Sequence, residues 1–422
     1  MMEGYKNTEL GLIPESWEIR MLKEVSSIVT GNTPPTKKIH LYGSKYPWVT
    51  PSDIKGQRKI RSTSKMLSDE GYNKSRQLPK NSLLITCIAS IGKNVLLEKE
   101  GSCNQQINAI LPTEEHSNEF LYYLLDNESK RLINLSGKTA VQIINKSTFE
   151  TFKVPLPPLP EQQKIAEILT TVDDKIEVID QQIEQTQELK KGLMQKLLTG
   201  EYKIEGGKIV KRNEAFKDTE LGKIPESWEV KIIGEFAKVT AGGTPSTQIS
   251  EYWNGDIRWM NSGEINHKRV KEVESRITKE GLENSSTKLL PKNCVLIALA
   301  GQGKTRGTVA INEVELCTNQ SLASILPNSE FYPEYLYYNL DSRYIELRRM
   351  STGEGGRGGL NLTIIRGIPV QLPTIEEQKD ISEYLNLLDN KTQVLESKKS
   401  EYTELKKGLM QKLLTGKIRV KV

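Results

Sequence analysis

Thirteen residues, ELKKGLMQKLLTG, occur unchanged at Glu188–Gly200 and again at Glu404–Gly416. Near the other end of each copy, TELGLIPESWE at Thr8–Glu18 returns as TELGKIPESWE at Thr219–Glu229. The two repeats are offset by 216 and 211 residues, so the chain is one unit written twice and must fold as two like halves. Between these bookends the likeness thins to landmarks in a shared order. VTGNTPPT at Val29–Thr36 faces VTAGGTPST at Val239–Thr247, and PWVTPSDI at Pro47–Ile54 faces RWMNSGEI at Arg258–Ile265. LPKNSLLI at Leu78–Ile85 faces LPKNCVLI at Leu290–Ile297, and CNQQINAILP at Cys103–Pro112 faces CTNQSLASILP at Cys317–Pro327. Kept ends with altered middles imply one scaffold carrying two different targets.

The closing segments have a helical period. After VPLPPLPEQ at Val154–Gln162, a seam runs through Ile165, Leu169, Val172, Ile176, Ile179, Ile183, Thr186, Leu189, Leu193 and Leu197, spaced mainly by four and three. The second copy follows VQLPTIEEQ with Ile381, Leu385, Leu388, Thr392, Leu395, Tyr402, Leu405, Leu409 and Leu413, and Lys399 interrupts it. Each predicted helix stops at a glycine, Gly200 or Gly416, and is about 55 Å long at about 1.5 Å per residue. A helix of that length with one apolar seam needs a partner, and the other copy supplies one. Gly192 and Gly408 lie inside the helices at a cost of about 1 kcal/mol each. Close approach of another helix of the same chain is the expectation, with contact to a partner protein as the alternative.

The middles read as mixed α/β. Ser82–Ala89 and Cys294–Ala300 have the character of buried strands, and Glu119–Ile133 and Glu334–Met350 of amphipathic helices. Tyr122/Tyr123 and Tyr337/Tyr338 hold matching places there, where core packing is favoured over base stacking. Glu201–Asp218, polar and glycine-containing, reads as a linker.

Several chemistries are excluded. With 422 residues, 36% hydrophobic and 27% charged, the chain has the composition of a soluble protein of more than one core. No apolar run is long enough to span a bilayer, and the first residues lack the features of a secretion signal, so a cytoplasmic location with no membrane partner is expected. Cys87, Cys103, Cys294 and Cys317 form no CxxC pair and are expected to be buried free thiols. The segment Ala300–Thr305, AGQGKT, lacks the first glycine of a phosphate-cradling loop, because Ala298 stands there. Asp53 and Glu264 occupy matching positions, but no second carboxylate and lysine accompany them in both copies as a metal-dependent nuclease requires. His40, His116 and His267 share neither equivalent positions nor ligand spacing. No methyl-donor loop is present, so no cofactor, no metal and no catalytic centre are expected. Net charge is +5 overall, +5 over residues 1–154 and −1 over residues 213–370. If DNA is the ligand, partner subunits supply part of the phosphate-neutralising charge.

The joint order of IPESWE openings, G-x-T-P and W-x-x-x-x-(D/E)-I landmarks, a Gly-Lys turn, Pro-Leu-Pro…Glu-Gln helix leads and LLTG endings closely resembles the DNA specificity subunits of type I restriction–modification systems. The resemblance covers nearly the whole chain. It implies an α+β fold, a tandem duplication of two α/β target-recognition domains each followed by a long helix, with the two helices forming an antiparallel coiled coil. The implied divisions are residues 1–155 and 217–370 for the recognition domains, 156–200 and 371–422 for the spacer helices, and 201–216 for the linker. It further implies a non-catalytic chain that binds double-stranded DNA and docks two methyltransferase subunits, and through them motor-nuclease subunits. Methylation of adenine N6 and cleavage then belong to the partners.

Two differing domains on a helical spacer would read a bipartite, asymmetric site. Reading one duplex face about one turn apart leaves a non-specific gap of about 5 to 8 base pairs. The candidate DNA contacts are polar loop positions beside the landmarks. In the first half they are Thr33, Lys37, Lys38, Arg58, Lys59, Lys93, Lys138 and Gln142; in the second, Thr244, Thr247, Asn261, Ser262, Lys304, Arg306, Arg357 and Asn361. Lysine and arginine hold phosphates or guanine edges, and asparagine and glutamine pair with adenine. A coiled-coil scaffold with protein-binding domains is the alternative, favoured by the near-neutral second half and separable by salt-sensitive duplex binding.

Overall fold

The computed structural model describes residues 4–136, 142–301, 305–350 and 359–421. The chain divides into two compact units, Met1–Gln181 with Glu396–Val422, and Gln182–Leu395. Both boundaries fall inside the long helices, Leu159–Leu198 and Ile375–Leu413, so each unit holds part of both.

Each unit is built around the same five-stranded sheet. In the first the order is Ile28–Thr30, Ile107–Ile110, Leu83–Thr86, Asn94–Leu97, Lys59–Ile60; in the second, Val239–Ala241, Leu322–Ile325, Val295–Ala298, Val309–Asn312, Arg269–Val270. Only the last pairing in each is parallel. The predicted strands are the central ones, and their four apolar or small residues are buried on both faces, which explains why they read as continuous runs without alternation. A two-stranded ribbon ties the start of each copy to its end. Glu18–Met21 pairs with Lys153–Leu156, and Glu229–Ile232 with Pro369–Leu372.

The helix after each sheet is shorter than its period predicts. Glu119–Ile133 is split into Asn118–Asn127 and Ser129–Leu135, and the second copy into Pro333–Ser342 and Tyr344–Met350. At the break an arginine satisfies a carbonyl of the closing strand: Arg131 donates to the Lys153 carbonyl at 2.5 Å, and Arg343 to the Pro369 carbonyl at 2.6 Å. The partners are swapped in sequence, since Arg131 pairs with Glu128 before it and Arg343 with Glu346 after it. All four paired tyrosines are buried, as expected from core packing. The segment read as a linker contains a hairpin, Tyr202–Glu205 with Lys208–Lys211, whose Tyr202, Ile204 and Ile209 pack on the second core.

Within the first unit, Asp173 meets Lys406 at 2.7 Å and Asp180 meets Lys399 at 2.6 Å. Numbers rise along one helix as they fall along the other, so the pairing is antiparallel. Lys399, which breaks the apolar seam in sequence, is thus a cross-helix ion-pair partner. In the second unit Lys190 meets Asp389 at 2.5 Å, the repeat-equivalent of the Asp173–Lys406 pair. Tyr123 donates to Asp173 at 2.7 Å and Tyr338 to Asp389 at 2.6 Å, which ties the sheet-packing helix to the long helix in both units.

Two expectations about the helices are corrected. Leu189 and Leu405, placed in the seam by their spacing, are each 50% exposed. A Cβ added at Gly192 or Gly408 would meet nothing within 4 Å among the described residues, so close approach of another described helix does not explain these glycines. The supercoil seam drifts around a 3.6-residue helix, and by the last turns the apolar positions of the identical segment no longer all face the core.

Candidate nucleic-acid interface

In each unit the G-x-T-P loop is held by the same bonds. Gly31 lies so close to the strand Ser102–Cys103 that a Cβ would stand 2.3 Å from the Cys103 carbonyl oxygen; at Gly242 the distance to the Thr318 oxygen of Cys317–Thr318 would be 2.1 Å. Only glycine permits that approach. The Trp48 ring N–H donates to the Asn32 carbonyl at 3.0 Å, and that of Trp259 to the Gly243 carbonyl at 2.9 Å. The Thr33 hydroxyl donates to Gln105 at 2.6 Å, and Thr244 to Gln320 at 2.5 Å.

The matched acids are structural. Asp53 accepts from the Thr50 backbone and hydroxyl and, on its other oxygen, from the Ser64 backbone and hydroxyl. Burial alone would raise its carboxyl, but these bonds outweigh burial and hold it below the usual range. Glu264 caps its own turn through the Asn261 backbone and amide and accepts from the Glu274 backbone. Among the described residues no group of histidine, cysteine and carboxylate side chains is arranged to hold a metal ion. Among them also, no helix is long and apolar enough to cross a membrane.

The sequence candidates are dispersed over each domain. Thr33, Lys37, Lys38 and Thr247 are exposed on or beside the G-x-T-P loop, with Thr244 half-buried in it. Lys93 and Gln142 are exposed on turns, and the Gln142 carbonyl accepts from Ala89 at 3.0 Å. Arg58 faces the long helix, donating to Thr170 at 2.8 Å and to Asp174 at 2.6 Å, and Lys59 pairs with Glu119 at 2.9 Å. Asn261 and Asn361 cap short helices with their side chains. Ser262 and Arg306 are half-buried. Lys138, Lys304 and Arg357 lie outside the described residues. Sequence reasoning passed over Gln105 and Gln320, although both stand in the Cys…Asn-Gln landmark. That shared Asn-Gln was the available signal.

A duplicated α/β module whose copies keep the same loop scaffold and close on paired antiparallel helices defines a class of tandem-repeat proteins with two like domains. Both copies match the type I restriction modification DNA specificity domain, over residues 14–188 and 225–404. A putative type I restriction enzyme MjaX specificity subunit from Methanocaldococcus jannaschii is 30% identical over 436 residues, covering 99% of this chain and 97% of that one. The MjaVIII specificity subunit of the same organism is 26% identical over 428 residues, with the same shares. The solved type I restriction–modification S subunit from M. genitalium shares the fold, with a TM-score of 0.62 at 17% identity over 98% of this chain and 99% of that chain. The chain belongs to the family of type I restriction–modification specificity subunits. It is a DNA-recognising, complex-assembling subunit, with methylation and cleavage left to other subunits.

Proposed function

We propose that this chain reads a bipartite, asymmetric DNA site and docks two methyltransferase subunits, through which motor-nuclease subunits join. Residues 1–155 and 217–370 are the two target-recognition domains, 156–200 and 371–422 the spacer helices, and 201–216 the linker, in a cytoplasmic complex. The observation that carries this reading is the duplication itself: one loop scaffold, held by the same Trp and Thr–Gln bonds, presents different side chains in the two copies. Different side chains on one scaffold suit two different half-sites. A spacer of about 5 to 8 base pairs follows from reading one duplex face about one turn apart.

Docking of two like subunits is supported by the identical helix ends. In both copies Leu189/Leu405, Lys191/Lys407, Gln195/Gln411 and Lys196/Lys412 are exposed, and Gly192/Gly408 face open space. Packing within the chain gives little reason to keep these positions the same, whereas one kind of partner bound twice does. A genome-wide N6-methyladenine map, with and without this chain beside its methyltransferase, tests the reading. Loss of one gapped motif supports it; an unchanged map with an active methyltransferase sinks it.

A further inference from the structure

Two domains that read different sequences share one ligand feature, the sugar–phosphate backbone, which carries no sequence information. Exposed side chains that stay matched while their neighbours change are suited to that common feature. Gln105 and Gln320 are both exposed, and each receives a threonine hydroxyl on its oxygen, which leaves the amide N–H donors toward solvent. A matched cation stands on the other flank of the same loop. Exposed Arg76, two residues before LPKN, donates its backbone N–H to Asn32 at 2.5 Å and its Nε to the Thr30 carbonyl at 3.4 Å. Exposed Lys288, two residues before the second LPKN, donates to the Thr240 hydroxyl at 2.6 Å. The residues after each T-P turn do change: Lys37 and Lys38 correspond to Gln248 and Ile249.

We propose that Gln105 with Arg76, and Gln320 with Lys288, are matched phosphate contacts that seat each domain on the duplex whatever its base sequence, leaving the changed loop residues to read bases. The proposal rests on the reading that the chain binds duplex DNA. Its two components act differently. The cation neutralises a phosphate and releases counterions, whereas the neutral amide donates a hydrogen bond and releases none.

The test uses the full chain assembled with its methyltransferase subunits, binding a duplex with the mapped site and a shuffled duplex between about 50 and 200 mM salt. Q105A, Q320A, R76Q and K288Q should each weaken both duplexes by the same factor, about three- to tenfold. R76Q and K288Q should also lower the salt slope by about 0.9, while the glutamine variants leave it unchanged. Q105E keeps an acceptor for the Thr33 hydroxyl but turns a charge toward the phosphate, so it should bind more weakly than Q105A with the methylated motif intact. A changed base preference at either half-site, or wild-type affinity for Q105E, overturns the proposal. Failure of the unaltered complex to select its site over the shuffled duplex overturns the underlying reading instead, and this proposal with it.

Discussion

A Cβ placed on Gly416 would stand 2.5 Å from the ring of Pro14, and one on Gly200 would stand 2.4 Å from the ring of Pro225. The closing glycine of each copy is therefore fitted against the opening Ile-Pro-Glu-Ser-Trp of the other, beside Trp17 and Trp228. That contact accounts for the repeat of the closing glycine and of the opening Ile-Pro-Glu-Ser-Trp, since each is the packing partner of its counterpart in the other copy.

Gly200 and Gly416 also adopt left-handed φ values of 75° and 70°. Gly200→Ala and Gly416→Ala combine that strain with a clash against a proline ring, and each is expected to cost about 2 kcal/mol or more. Urea unfolding followed by tryptophan fluorescence checks this; an unchanged midpoint in both variants would show that the contact is looser than described.

Beside each glycine a tryptophan, a glutamate and an arginine are joined. Trp17 donates to Glu161 at 3.1 Å and Arg419 to the same carboxylate at 2.7 Å; Trp228 donates to Glu377 at 3.2 Å, and Arg212 pairs with it. The Arg212 side chain is 5% exposed and that of Arg419 is 42% exposed. Arg212→Ala should therefore destabilise more, by about 3 kcal/mol against about 1 for Arg419→Ala. Equal losses in thermal unfolding would contradict the difference in burial.

All four cysteines are buried, and burial pushes Cys87 and Cys317 up to about 11 and Cys103 and Cys294 up to about 12. Because the thiolate is the reactive form, the native chain should take up no thiol reagent at pH 8 over minutes and four equivalents in denaturant. A fast-reacting thiol in the native protein would refute the burial.

His116 is buried between Thr113 and Asn118, and burial holds its imidazole below the ordinary value despite the Asn118 bond. The unfolded chain then takes up a proton at about 6.5, where the folded one does not. Its contribution to stability is complete above that pH and is lost as pH falls through the folded value. Unfolding curves between about pH 7 and pH 5 should show a decline that His116→Gln flattens; parallel declines in the two proteins would assign the effect to other groups.

Leu189 and Leu405 are half-exposed near glycines at which an added Cβ would meet nothing within 4 Å among the described residues. The double variant Leu189→Lys, Leu405→Lys should keep its unfolding midpoint yet lose methyltransferase association by about tenfold or more, as burial of two leucines in an interface implies. Unimpaired assembly would remove these helix ends from the docking surface.

Periodicity and repetition are local properties, so the duplication, the long helices, the buried central strands and the core role of the tyrosine pairs were legible in the residues alone. The G-x-T-P loops were legible as candidates because both copies keep them. Whether a given side chain is free depends on what the fold brings to it from far along the chain. Arg58 reads as a loop cation, yet it meets Asp174 on the long helix. Arg212 and Arg419 follow their glycines at different distances and still reach equivalent glutamates, which no alignment of the two copies discloses. Hydrophobic spacing and glycine positions act over a few turns of chain, which is why the two-copy architecture can be read from the residues in order. Which bookends meet, which seam leucines stay exposed and which polar groups remain available emerge only in the folded chain, because they depend on contacts between residues far apart in sequence.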